Sequence, residues 1–125
     1  MTQEAAQEAW PSELRLNPEK NALRVGFRGG ISESLPAELL RVMSPSAEVQ
    51  GHSPAERKLV SGKRDVTIGK IEPVGNYAVR LAFSDGHDTG LFTWPYLYDM
   101  ARRKEELWSG YLKEIEAAGL SRDPR

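Results

Sequence analysis

The sequence predicts an α+β domain, and three observations predict it. Two early stretches and a later one alternate apolar with polar residues, and a final run repeats its apolar residues at three-and-four spacing. Alternation sends successive side chains to opposite faces of a strand, whereas three-and-four spacing gathers them on one face of a helix. Strands, a short helix, more strands and a closing helix then make a small antiparallel or mixed β-sheet packed against a short helix and a longer C-terminal helix.

Each element has a local reason. Residues 1–12, "MTQEAAQEAWPS", carry glutamine, alanine and glutamate and read as a flexible N-terminal extension, with Trp10 docking on the domain. Leu14 and Leu16 alternate with Glu13 and Arg15, and Leu23, Val25 and Phe27 alternate with Arg24 and Gly26. "NPEKN" between them has turn chemistry, so the pair reads as a hairpin, followed after "RGG" by a third short strand in "ISESLP". Pro36 suits the first turn of a helix in "PAELLRVM", and that helix ends before Pro45 because proline disfavours helical backbone at the preceding residue. From Ser46 to Asp65 the chain is polar, a connection longer than compact domains usually carry.

The second half is patterned more sharply. In "DVTIGKIEPV", Val66 and Ile68 share one face and Ile71 takes the other, which predicts a bulge near Gly69. "VGN" turns the chain into "YAVRLAF", where Tyr77, Val79, Leu81 and Phe83 fall on one side. Asp85-Gly86 turns it again into "TGLFTW". Thr93 can cap the final helix and Pro95 is tolerated in its first turn. Leu97, Met100, Ala101, Trp108, Tyr111, Leu112 and Ile115 form its apolar stripe, and Gly119 ends it. The domain proper therefore spans residues 13–118, with 119–125 as a flexible tail.

Composition narrows the function. A chain of 125 residues with net charge −1 fits one domain with a mixed surface, and gives no reason to expect nucleic acid as a partner. No apolar stretch is long enough to span a membrane. Zero cysteines exclude disulfides and thiolate chemistry and suit a cytoplasmic location, and two histidines leave little acid–base machinery.

His87, in "SDGHDTG", has the strongest claim to a function. With Asp85 and Asp88 it could form a small oxygen-and-nitrogen metal site, or it could accept a proton as the base of a small enzyme. The plainer reading is that Asp85-Gly86 makes the turn and His87 bonds to the serines of "SPS". His52 sits alone in the polar connection and reads as solvated. The cluster Arg57, Lys58, Lys63 and Arg64 reads as solvated surface, since "SGKR" lacks the glycine and hydroxyl spacing of a phosphate loop. Trp94, Tyr96, Tyr98, Trp108 and Tyr111 read mostly as core, with Tyr98 the most exposed. "GHDTG" lacks the His-x-Asp order of the non-haem iron oxygenases.

Three segments, "LLRVMSPSAEV", "IGKIEPVGNYAVRLAFSDGHDTGLFTW" and "YLYDMARRKEELW", resemble the gamma-butyrobetaine hydroxylase-like N-terminal domain family, formerly a domain of unknown function. "SPSAEVQGH" and "GNYAVRL" are most similar to its stand-alone bacterial form. The resemblance implies a zinc knuckle, with cysteines at the positions of Ser44, Ser46 and Val49 and a histidine at His87; only the histidine is kept here. It also implies a role in assembly beside oxygenase domains or iron–sulfur carrier ATPases. The expectation is a non-catalytic module without cofactor, contacting an unidentified protein partner through Ser44, Ser46, Glu48 and His87. The alternative is an iron- or zinc-binding accessory protein using His87, Asp85 and Asp88.

Overall fold

The computed structural model describes residues 9–51 and 53–124. The class is α+β, with the strands divided between two three-stranded antiparallel sheets. The first runs β1 (Pro11–Leu16), β2 (Ala22–Phe27), β3 (Ser32–Pro36), with β2 in the centre. Its register sets Leu16 against Leu23 and Leu23 against Leu35, so the alternating leucines meet across the ladder. The second runs β4 (Ile68–Val74), β5 (Ala78–Phe83), β6 (Leu91–Thr93), again with the middle strand in the centre. The register slips between Ile68 and Lys70, which is the bulge expected near Gly69.

Both sheets turn their apolar faces into one core. Leu23, Val25 and Leu35 of the first sheet and Ile68, Val79, Leu81 and Phe92 of the second are all buried in it. A main-chain hydrogen bond also links β4 to the β1–β2 turn, Ile68 N–H donating to Lys20 O at 2.8 Å. Tyr77 departs from its expected place on the apolar face. It belongs to the turn before β5, its N–H donating to Val74 O, and its ring is 51% exposed.

The short helix α1 (Ala37–Val42) follows β3 directly. Its first amide has no side-chain cap; Ala37 N–H donates instead to Asn21 O in the β1–β2 turn at 2.8 Å. Leu39 and Leu40 are fully buried, each contributing about 2 kcal/mol of apolar burial before entropic costs. The long connection then holds a one-turn helix α2 (Ala47–Gln50) and a 3₁₀ turn (Pro54–Glu56). Two phenols tie this part of the backbone to the closing helices: Tyr96 Oη–H donates to Met43 O at the end of α1, and Tyr111 Oη–H to Val60 O in the connection at 2.8 Å. His52 lies outside the described residues.

The expected long helix is two, α3 (Trp94–Arg102) and α4 (Lys104–Ala117), hinged at Arg103. The hinge has a packing cause. Leu97, Met100 and Ala101 face the main core, whereas Tyr111 and Ile115 face a second small cluster with Val42, so one straight stripe cannot serve both. Thr93 caps α3 as expected, its Oγ1 accepting from Tyr96 N–H. Gly119, at φ +69°, ends α4 in the left-handed conformation that glycine tolerates.

The chain then doubles back along the connection. Gly62 N–H donates to Ser121 O and Arg64 N–H to Arg122 O, both at 2.9 Å. The Arg122 guanidinium forks onto Glu38, whose side chain is only 5% exposed, and lies 4.9 Å above the centre of the Trp108 ring. Residues 121–124, expected as tail, thus form a strap across the end of α1.

Candidate functional site

The end of α1, the serine turn and the β5–β6 hairpin tip meet at His87. Pro45 stops the helix, and the serine turn that follows turns Ser44 and Ser46 inward. Asp85 shapes the hairpin tip by accepting from His87 N–H at 3.1 Å, which aims the imidazole at the serines.

The ring is enclosed, with a side chain 3% exposed. Its Nδ1 lies 3.2 Å from Glu48 Oε2, and its Nε2 lies 2.9 Å from Ser44 Oγ and 3.3 Å from Ser46 Oγ. A carboxylate only accepts, so Nδ1 carries the hydrogen and Nε2 accepts from the serine hydroxyls. Ser44 is pinned further: its O accepts from Gln50 Nε2 at 2.9 Å. Thr89 Oγ1 donates to the other Glu48 oxygen at 3.2 Å.

A hydroxyl, an imidazole and a carboxylate in line also describe a nucleophilic triad. Access decides against that reading. Ser44 is fully buried, and a Cβ on Gly90 would come within 2.3 Å of Ser44 Oγ, so the hairpin backbone closes over the oxygen. No substrate carbonyl reaches it, and the three groups act as a clasp between α1 and the hairpin.

A layer of charge lies beside the clasp. Arg41 Nε and Lys63 Nζ contact the same Asp85 oxygen, at 2.8 and 2.6 Å. Burial opposes the Asp85 charge, but the hydrogen bonds from Lys63, the His87 amide and Arg41 outweigh it and hold the carboxyl down at about 2. Burial, aided by the Arg41 charge, pushes the His87 pKa below its ordinary value, against the upward pull of Glu48. His87 is therefore a neutral partner at neutral pH.

These shifts predict a two-step acid response. His87 titrates lower when folded, so its contribution is complete above the ordinary value of 6.5 and is lost as pH falls through the folded pKa. The Asp85 contribution, on the order of 2 kcal/mol, survives until pH falls below the ordinary 3.8 and goes as pH approaches 2. Urea unfolding followed by tryptophan fluorescence across this range should show both losses, with the first absent in His87→Gln. A flat profile between neutral pH and the carboxylate range contradicts the assignment.

The remaining expected sites are dispersed or paired. Arg57 is paired with Glu114, Lys63 with Asp85 and Arg64 with Asp123, leaving Lys58 as the exposed member of the basic cluster without an ion pair among the described residues. Tyr111 is buried, and Trp94, Tyr96 and Trp108 are half-buried against the core clusters. Tyr98, expected to be the most exposed, is also half-buried, edge-on to Phe27 at 5.1 Å. The participation of Arg41, Gln50 and Thr89 went unforeseen. Arg41 had a signal, being the one cation within the apolar helix, whereas Gln50 and Thr89 depend on tertiary placement.

A model of the family described as "Gamma-butyrobetaine hydroxylase-like, N-terminal" matches residues 14–98, a span that holds every residue of the clasp. The chain belongs to that family. This gamma-butyrobetaine hydroxylase-like domain is similar to two proteins solved by solution NMR. One is 50% identical with a TM-score of 0.80, covering 92% of this chain and 90% of that one. The other is 48% identical with a TM-score of 0.77, covering 91% and 85%. A crystal structure of a DUF971-family protein with unknown function from Acidithiobacillus ferrooxidans is 37% identical with a TM-score of 0.63, covering 76% and 96%. No curated protein matches.

The zinc that the resemblance implied does not suit the residues present. This gamma-butyrobetaine hydroxylase-like domain offers two neutral hydroxyls, one imidazole already accepting from them, and Val49, whose side chain is apolar and buried. Structural zinc takes thiolates and imidazoles. Among the described residues no three histidine, cysteine, aspartate or glutamate side chains converge as metal ligands, and Asp85, His87 and Asp88 are no exception.

Proposed function

We propose that this domain is a non-catalytic accessory module of the cytoplasm that binds a protein partner through the face over the clasp. One observation supports this most directly. The Glu48 side chain is 63% exposed, yet each carboxylate oxygen is held from within, Oε2 by His87 and Oε1 by Thr89. A carboxylate oriented from beneath and open above suits an arginine or lysine arriving from a partner, with little rotamer freedom left to lose. Exposed Ala47, Asp88 and Thr89 extend the face. Ser44, Ser46 and His87 are buried, so they serve the face as its foundation and make no contact themselves. The metal-handling alternative receives no support from this arrangement: Asp85 Oδ2 faces two cations, and both His87 nitrogens are engaged.

The test is cross-linked capture from source cells with the wild type, Glu48→Gln and Glu48→Lys side by side. The expected result is a partner weakened by the amide and lost with the lysine, while all three proteins keep the same amide spectrum. An identical set of captured proteins from all three removes this face from consideration.

A further inference from the structure

A second surface runs along α3, on a face other than the one from which Tyr96 reaches Met43 beside the clasp. Trp94, Tyr98 and Arg102 follow one another at four-residue spacing, so they share one helix face, each step about 6 Å along the axis. Two neighbouring strand ends build onto that face. Trp10 precedes β1 and packs edge-on against Trp94 with ring centres 6.5 Å apart, and Phe27 ends β2 edge-on to Tyr98. Arg28 N–H donates to Trp10 O at 2.9 Å, which fixes these strand ends together.

The cations on this strip are placed unusually. The Arg28 guanidinium lies 5.9 Å from the Trp10 ring centre and that of Arg102 lies 5.7 Å from the Tyr98 ring centre. Both arginines are exposed, and among the described residues neither has a carboxylate within ion-pair distance. Next to them, Arg103 pairs with both Asp99 and Glu106. The strip thus has an aromatic centre, with Trp10 37% exposed, and at each end a guanidinium over a ring with no ion pair among the described residues. Resting on a ring weakly desolvates a guanidinium while leaving its edge donors free for a bidentate acceptor.

We infer that the strip of Arg28, Trp10, Trp94, Tyr98 and Arg102 is a docking surface for an acidic peptide segment of a partner protein, one with an apolar side chain between its carboxylates. Charge complementarity names the occupant: two guanidiniums without an ion pair among the described residues flank an apolar stretch, and the matching ligand has two carboxylates flanking an apolar residue. A nucleic-acid strand is the poorer match, because two free cations on a chain of net charge −1 neutralise too few phosphates. The surface is distinct from the one holding Glu48 and attracts the opposite charge, so the two readings stand or fall separately.

The experiment is a titration of the full-length, ¹⁵N-labelled chain with a short synthetic peptide in which aspartates flank phenylalanine. A lysine-for-aspartate peptide and oligothymidine serve as competitors. The expected result is movement of the Trp10 and Trp94 indole N–H signals with the acidic peptide. Binding should weaken at least tenfold in the Arg28→Glu/Arg102→Glu double variant and remain unchanged in Glu48→Lys. Because both arginines are exposed, the double variant keeps its amide dispersion. Silent indole signals overturn the proposal, as does equal binding of the lysine peptide or tighter binding of oligothymidine. Indole signals that move in a Glu4→Gln/Glu8→Gln chain without added peptide also overturn it, by assigning the strip to the chain's own acidic start.

Discussion

Replacing His87 with alanine is expected to lower the free energy of unfolding by about 3 kcal/mol. The cost has two parts. The imidazole is almost fully enclosed, so its removal leaves a cavity lined by Phe83 and the serine turn. The Ser44 hydroxyl, fully buried, then loses the acceptor that satisfies it, and an orphaned buried polar group costs about 1–3 kcal/mol. Glu48 adds little, because its exposed carboxylate exchanges the imidazole for water. His87→Asn, which restores one amide at the site, should recover part of the loss. Equilibrium urea unfolding measures both variants; a loss under about 1 kcal/mol for alanine means that the clasp does not hold the hairpin to the helix.

Arg122→Ala is expected to cost a similar amount, although Arg122 lies three residues from the chain's last. Its guanidinium satisfies both oxygens of Glu38, at 2.9 and 2.7 Å, in a site where the carboxylate sees almost no solvent. Removing the cation leaves a buried negative charge, the situation in which breaking an ion pair costs about 3–5 kcal/mol; partial exposure of Arg122 places this case near the lower end. The melting temperature should fall by roughly 10 °C. Pairing the change with Glu38→Gln should return more than half of the loss, because the amide is neutral. If Arg122→Lys melts with the wild type, the two-pronged contact is not what fastens the strap, since an ammonium cannot reproduce the fork.

What could be read before the fold was known followed short-range periodicity. Leu23, Val25, Val79, Leu81 and Phe83 announced themselves by alternation, because neighbouring side chains on a strand face opposite environments. Thr93 and Gly119 announced the ends of helices through capping and left-handed backbone, which are local properties. The hinge at Arg103 gave no such sign: its cause is the position of a second cluster built from Val42 and the connection, residues distant in sequence. Tyr77 was misplaced because alternation says nothing about where the first rung of a ladder falls. At the site, the meeting of the serine turn with His87 was legible from residue chemistry and resemblance, whereas the burial of Ser44, Ser46 and His87 came only from the hairpin closing over them at Gly90. The strap of residues 121–124 was illegible because a single guanidinium reaching a single carboxylate leaves no periodic trace.

The clasp also determines which conditions in a cell can reach the fold. Its contacts are made by alcohol oxygens, one aromatic nitrogen and a carboxylate, and the chain holds no sulfhydryl at all. Peroxide finds no thiol there to oxidise, and among the described residues no cluster of ligands makes the joint depend on a transition element. A joint built this way answers to acidity through its imidazole and carboxylate, and not to the redox state of a thiol.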